Sequence, residues 1–323
     1  MSNLCLGLDL GGTNIKAGVI AGNSKLIGKV SVSTGVGPDA VIANMIQAAK
    51  EAVKTARVAM DAIAAVGIAS PGPLSSKRGV VFRSANLPGW LNVPLRERIS
   101  GALSKPAILE NDAKAAAYGE YRAGAGRDRA INDFVMITLG TGVGGGVVQD
   151  GKLVHGSFDS AGEFGHMIMV PGGDLCGCGQ HGCLEVYAAA SRTGQHAMRM
   201  LREHPERPSS LRQVMQTVGQ VTARDVEQSA QAGDSVALEI WEKTCEFLGL
   251  ACVNIVHAYD PQMIVLAGGM AAAGDFLLTR VRQAFMEQFW KMDAPHVEIG
   301  LAELGNDAGM IGAAELAREA FIH

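Results

Sequence analysis

Short, nearly continuous apolar runs alternate along this chain with longer stretches in which apolar positions recur every three or four residues. The first pattern reads as buried strand and the second as amphipathic helix. The runs predict strands over 4–10, 17–21, 25–33, 63–69 and 107–109, with a short extended piece at 79–83. The helical pattern covers 38–57, 95–103 and 113–123, with Pro38 suited to a first helical turn. Two loops interrupt this set, Ser70-Pro71-Gly72-Pro73 and Asn86-Leu87-Pro88-Gly89-Trp90. A second set begins with a strand over 134–139, a glycine run over 140–146 and a strand–turn–strand over 147–154. Asp150-Gly151 lies at that turn, and Asp-Gly between apolar runs is a strong hairpin signal. Residues 184–257 read as mainly helical with a polar break at 205–210. A strand at 263–266, a helix at 276–289, a strand near 297–301 and a helix at 309–321 complete the pattern. Each half opens with a glycine hairpin and continues into mixed strands and helices. This predicts an α/β protein of two related domains flanking a cleft.

Composition narrows the class. With 323 residues, 48% hydrophobic and 19% charged, the chain can build a large core and is not disordered. Fourteen of its 41 glycines fall between Gly140 and Gly182, with no Gly-X-Y period, so the backbone must turn tightly or approach ligands closely there. The net charge of −4 argues against a broad nucleic-acid surface. No apolar stretch of about 18 residues occurs, so no membrane span is expected. Asp9 breaks the first apolar run, which does not read as a secretory signal. Six cysteines in such a chain suggest a reducing, cytoplasmic setting.

Three of those cysteines cluster. His166, Cys176, Cys178 and Cys183 make a complete tetrahedral zinc set, and the glycines between them let a short loop wrap an ion. With no open position, such a site is structural and does not activate water. Cys5, Cys245 and Cys252 read as ordinary core thiols.

The glycine loops have two readings. Residues 140–145 match G-x-G-x-x-G after a strand, with Glu163 about twenty residues on, as in dinucleotide-binding proteins. That loop must open a helix, whereas here a hairpin follows, so the dinucleotide reading fails. The alternative uses both loops as a phosphate clamp, in which backbone N–H groups approach phosphate oxygens and Thr13 and Thr141 add hydroxyls. Asp9 is then placed to hold a hydrated Mg²⁺.

Asp9-Leu10-Gly11-Gly12-Thr13-Asn14-Ile15-Lys16 and Leu139-Gly140-Thr141-Gly142-Val143-Gly144-Gly145-Gly146 resemble the two phosphate loops of the superfamily of actin, the heat-shock chaperones and the sugar kinases. Ala267-Gly268-Gly269-Met270 resembles its adenosine-side loop. Glu163-Phe164-Gly165-His166 and the cysteine loop through Glu185 are similar to the signature of the ROK family, and the likeness covers the whole chain. The resemblance implies two ribonuclease H-like (actin-like ATPase) domains, with the zinc loop in the larger. The boundaries would be 1–112 with the C-terminal helix from about 309–323, and 113–308. It further implies a sugar kinase using ATP with Mg²⁺, most like the family's glucokinases. Asp112 of Glu110-Asn111-Asp112-Ala113 would be the general base for the sugar hydroxyl. Gly72, Asn86, Asn111, Glu163, His166 and Glu185 would contact the sugar. Asp9, Gly11, Gly12, Thr13, Asn14, Lys16, Thr141, Gly142, Gly144, Gly268 and Gly269 would serve the nucleotide. Trp90 reads as core or lid packing before ring stacking. Kinases for N-acetylmannosamine, N-acetylglucosamine, fructose or mannose are alternatives, as are a sugar-sensing repressor and an inactive sugar-binding protein. The expected partners are the sugar, ATP and a second copy in a homodimer, with no nucleic acid and no membrane.

Overall fold

A computed structural model describes residues 3–84, 87–291 and 294–322. The elements run β1 (Leu4–Leu10), β2 (Asn14–Ile20), β3 (Leu26–Ser33), α1 (Pro38–Thr55), β4 (Ile63–Ser70), β5 (Leu74–Ser75), β6 (Val80–Arg83) and β7 (Leu91–Val93). They continue α2 (Leu95–Leu103), β8 (Ala107–Asn111), α3 (Asp112–Ala123), β9 (Phe134–Leu139), β10 (Val143–Gln149) and β11 (Lys152–Leu153). The remainder is α4 (Leu184–Ala188), α5 (Ala190–Glu203), α6 (Leu211–Val218), α7 (Ala223–Gln231), α8 (Ser235–Tyr259), β12 (Met263–Ala267), α9 (Asp275–Gln288), β13 (Glu298–Leu301) and α10 (Ala308–Phe321). Met1–Ala130, Gly146–Gly162 and Glu303–His323 make one compact unit, and Ile131–Gly145 with Glu163–Ala302 make another.

In the first unit one sheet has the order β3-β2-β1-β4-β8. The hairpin strands β1, β2 and β3 pair antiparallel, while β1–β4 and β4–β8 pair parallel. Side chains alternate across a strand. Leu6, Leu8 and Leu10 of β1 and Val66 and Ile68 of β4 therefore join the core with Val41, Ile42 and Met45 of α1 and Ile99 of α2. The intervening positions turn toward α10: Cys5, Ala65, Met310 and Ala314 form a separate buried cluster. Asp9 is the last position of β1 on that α10 side. The same helix packs along α3, where a Cβ added at Gly312 would stand 1.7 Å from the Ala115 carbonyl oxygen, and one at Gly119 2.3 Å from that of Ala308. Only glycine permits this backbone approach.

A second sheet has the order β11-β10-β9-β12-β13, with β12 parallel to both β9 and β13. The two sheets thus share one strand order, which is the architecture expected of an internal duplication. Two of the helices that follow the glycine hairpin, α7 and α8, start at side-chain caps. Thr222 and Asp225 close a capping box on α7, and Asp234 accepts from the Val236 and Ala237 amides at the start of α8.

Several element limits differ from the sequence reading. β2 begins at Asn14 and β10 at Val143, so residues assigned to loops are strand. Glycines 144–146 look like a loop in sequence but hold extended backbone. A Cβ at Gly146 would lie 2.5 Å from the Ala117 side chain of α3. The stretch 184–257 divides into five helices among the described residues, because Gly219 ends α6 in the left-handed region and Asp234 restarts the chain at α8. The small sheet β5-β6-β7 consists of strands too short to show a period. Among the described residues no helix is long and apolar enough to cross a membrane.

The packing predicts opposite outcomes for two glycine-to-alanine changes inside helices. Gly312→Ala forces α10 and α3 apart and should cost roughly 1–3 kcal/mol or more. At Gly101 in α2 an added Cβ meets nothing within 4 Å. Gly101→Ala should therefore gain about 0.5–1 kcal/mol. Thermal unfolding of both variants checks the pair, and equal effects would refute the packing argument.

Candidate active site

In the first unit the glycine turn after β1 is closed by the Gly11 amide donating to the Asn14 carbonyl at 3.0 Å. Buried Thr34 supports it from the end of β3: its hydroxyl donates to the Gly11 carbonyl at 2.7 Å, and its amide to that of Thr13 at 2.9 Å. Gly12, Thr13 and Asn14 stay exposed. The Asp9 carboxylate lies 3.4 Å from the Lys16 ammonium, which also donates to the Asn306 carbonyl at 2.7 Å. A Cβ at Gly309, in the first turn of α10, would meet the Asp9 carboxyl group at 3.2 Å. Burial pushes the Asp9 carboxyl above the usual carboxylate range, and Lys16 partly offsets this. Thr34 carries no signal in the sequence beyond being a polar strand end.

The C-terminal end of β8 passes directly into α3. Asn111 caps the helix, its side-chain oxygen accepting from the Ala113 amide at 3.0 Å and the Lys114 amide at 3.2 Å. Asp112, the first residue of α3, accepts from the Ala113 amide at 2.9 Å. Beneath this turn Glu110 is buried. Its carboxylate accepts from the Asn111 amide at 2.8 Å, meets His155 Nε2 at 2.7 Å and takes the Ser76 hydroxyl. The hydrogen bond to Glu110 raises the His155 pKa against the opposing effect of burial. About two turns further along α3, fully buried Glu120 accepts from the Ala125, Glu303 and Leu304 amides at 3.0, 3.0 and 2.7 Å. A buried carboxylate is tolerable only when hydrogen-bonded in this way. Lys114, also buried, donates to the Asp159 carbonyl at 2.6 Å. Sequence reasoning assigned no role to Glu110, Lys114 or His155.

Two further predicted positions lie in this unit. Gly72 sits between β4 and β5 with φ 93°, and a Cβ there would meet the Arg83 carbonyl at 2.4 Å. Trp90 is 4% exposed in the core beside Leu87 and Val93, and among the described residues its indole N–H has no hydrogen-bond partner. It packs in the core, as the sequence reading favoured. Asn86 lies outside the described residues.

In the second unit the other glycine turn is closed by the Gly140 amide on the Gly142 carbonyl at 3.0 Å. The Gly144 amide donates to the Thr138 hydroxyl at 3.1 Å, and Ser191 donates to the Thr141 carbonyl at 2.6 Å. Thr141 itself is exposed. Glu185 ties this turn to the cysteine loop. One carboxylate oxygen accepts from the Val143 amide at 3.1 Å, and the other takes the Cys176 thiol at 3.6 Å. A Cβ at Gly142 would lie 2.3 Å from the Glu185 carboxylate. Gly268 and Gly269 follow β12, and Gly268 lies against the Leu139 backbone. Glu163 is exposed and precedes the short turn Phe164–His166.

The ligand atoms of His166, Cys176, Cys178 and Cys183 all lie within 4.8 Å of one another. Cys178 Sγ and Cys183 Sγ are 3.8 Å apart, as are Cys176 Sγ and His166 Nδ1. The loop is held by backbone bonds, Cys176 to Gln180, Gly182 to Asp174 and Leu184 to Met167, at 2.8, 2.9 and 2.8 Å. Tyr187 braces it, accepting the Asp174 amide at 2.9 Å and stacking on Phe247. The structure therefore brings together the four residues that the sequence singled out as a zinc set. The remaining cysteines, Cys5, Cys245 and Cys252, are buried thiols, with Cys245 and Cys252 pushed up to about 12 by burial.

Known proteins are similar to this chain over almost its whole length. The family model described as ROK family matches residues 5–320. A glucokinase of Streptomyces coelicolor is 35% identical over 321 residues, 98% of this chain and 98% of the relative. An N-acetylmannosamine kinase of Shigella boydii is 31% identical over 313 residues, 97% of this chain and 98% of the relative. Among solved structures, a ROK family glucokinase from Streptomyces griseus in complex with glucose and AMPPNP superposes with a TM-score of 0.81. It is 32% identical, with 98% of this chain and 99% of that chain covered. The paired glycine turns, the Asn111–Asp112 helix start and the His–Cys₃ loop thus belong to a chain that is a member of the ROK family.

Proposed function

We propose that this protein is an ATP-dependent hexose kinase that phosphorylates the 6-hydroxyl of glucose. The observation that carries the reading is the β8–α3 junction. Asn111 caps the helix and holds Asp112 at its first position, at the carboxyl end of a parallel strand. A carboxylate so placed can take the proton of the sugar hydroxyl as that oxygen attacks the γ-phosphorus in line. Because the Asn111 carbonyl oxygen is committed to the cap, its amide nitrogen is the group left to meet the sugar. The backbone at Gly72, and Asn86, Glu163, His166 and Glu185, are assigned to the remaining hydroxyls. The exposed turns Gly11-Gly12-Thr13-Asn14 and Thr141-Gly142, with Gly144, are assigned to the phosphates, and Gly268-Gly269 to the adenosine. Lys16 orders Asp9, and Asp9 would hold through water the Mg²⁺ that accompanies ATP. That ion when bound neutralises phosphate charge.

The His–Cys₃ set fits a structural zinc. With Zn–S bonds of about 2.3 Å, sulfur atoms at two corners of a tetrahedron stand about 3.8 Å apart. That is the Cys178–Cys183 separation of 3.8 Å. Zinc when bound there fixes the loop and the His166 ring. Nδ1 faces the thiols, so Nε2 is the nitrogen that can donate to a sugar hydroxyl. Two ribonuclease H-like domains, a homodimer and a cytoplasmic location complete the reading, on the family resemblance. N-acetylmannosamine is the second sugar to weigh, because a relative acting on it is 31% identical.

Three outcomes are expected. In a coupled ADP-release assay, glucose should give the highest kcat/KM among glucose, mannose, fructose and the two N-acetylated amino sugars. A preference for N-acetylmannosamine would move the assignment to the second sugar. Asp112→Asn should lower kcat by roughly 10²–10⁴-fold while sparing sugar binding measured by calorimetry; turnover near wild type removes Asp112 as the base. Metal analysis should find one zinc per chain. Chelation, or Cys178→Ser in a variant still folded by circular dichroism, should weaken sugar binding by about 10–100-fold. A zinc-free protein with full affinity would contradict the role given to the cluster.

A further inference from the structure

Beside β8, at the end of the first unit's sheet, opens a pocket of about 960 Å³. None of the residues assigned above to sugar, nucleotide or metal lines it. Its apolar walls include Leu74, Phe82, Leu153 and Leu316. At its rim stand Lys77, Arg78 and Lys152, all exposed, on a chain whose net charge is −4. Among the described residues no carboxylate pairs with Lys77 or Lys152, and Arg78 lies over the Phe82 ring. The wall's acids are largely committed elsewhere. Glu110 is bonded to His155 and Ser76, and Glu319 accepts from Tyr118, which leaves Asp159 as the remaining carboxylate. Phe158, 89% exposed at the same pocket, offers an aromatic face with nothing covering it.

We propose that this pocket is a second small-molecule site that takes an amphipathic anion, an apolar body carrying a carboxylate or a phosphate. Apolar walls bury the body, and the unpaired cations meet the charged head. The site communicates with the reaction through Glu110. The carboxylate that lines the pocket and holds His155 at 2.7 Å also accepts the Asn111 amide at 2.8 Å. An occupant that shifts His155 or Glu110 moves the strand end carrying Asp112, so binding alters turnover. This consequence rests on the kinase reading, whereas the binding itself does not.

Calorimetry with octanoate, octyl phosphate and neutral octanol tests the site, and the two charged probes distinguish the head group. At least one charged probe should bind once per chain, with octanol roughly tenfold weaker or more. Lys77→Glu with Lys152→Glu should weaken the charged probe by a similar factor, and Phe158→Ser should weaken all three. Saturating glucose and AMPPNP should leave the binding in place. Failure of both charged probes to bind, equal binding of octanol, or displacement by glucose or AMPPNP would each overturn the site. Bound probe should change kcat for the sugar in the wild type. Binding with no change in kcat refutes the link through Glu110. A chain that binds the probe and phosphorylates no sugar refutes the kinase reading while the site stands.

Discussion

Much of the first unit depends on how closely α10 approaches its neighbours. Along β1 the even positions carry leucines toward α1, while on the other face Gly7 lets the α10 backbone come to the sheet. A Cβ at Gly7 would stand 1.9 Å from the Met310 carbonyl. The same helix meets α3 at Gly119 and Gly312. Even a methyl group would force these backbones apart, and close-packed interiors do not absorb such gaps. This seating brings the first turn of α10 to Asp9 and fixes α3, whose first residue is Asp112. Buried Glu120 reinforces it by binding amides from α3's own end and from the segment that leads into α10. Two carboxylates with assigned roles are therefore positioned by packing that touches neither substrate.

The second unit solves a similar problem with polar contacts. Its glycine turn and its cysteine loop are far apart in sequence and are joined by Glu185, which accepts one amide from the turn and one thiol from the loop. An ion held by His166, Cys176, Cys178 and Cys183 would take the place of the Cys176 thiol proton and fix the loop itself, leaving the Val143 amide as the hold on Glu185, and the Tyr187–Phe247 stack braces the loop from α8. Glu185 thus has a structural duty beyond the sugar contact assigned to it.

Order and type of the long elements were legible because apolar runs and helical periods are strong signals. The His–Cys₃ set was legible because spacing alone limits what four such residues can do. The glycine excess was only partly legible. Gly7, Gly119, Gly146 and Gly312 serve close packing between elements distant in sequence, which no local pattern reveals. The same blindness hid Thr34, Glu110, Lys114 and His155, whose partners are set by tertiary structure. Asn111 shows the intermediate case: the family resemblance implies a sugar contact there, and the structure commits its side-chain oxygen to the α3 cap.

The central claim is that Asp112, held at the start of α3 by Asn111, takes the proton of the sugar's 6-hydroxyl. A crystal structure of this chain with glucose and AMPPNP tests it most directly. The account predicts an Asp112 carboxylate oxygen within about 2.6–3.2 Å of the C6 hydroxyl, with the Asn111 oxygen still on the α3 amides. A sugar bound with its C6 hydroxyl on another group, or with Asp112 turned away from it, would contradict the account.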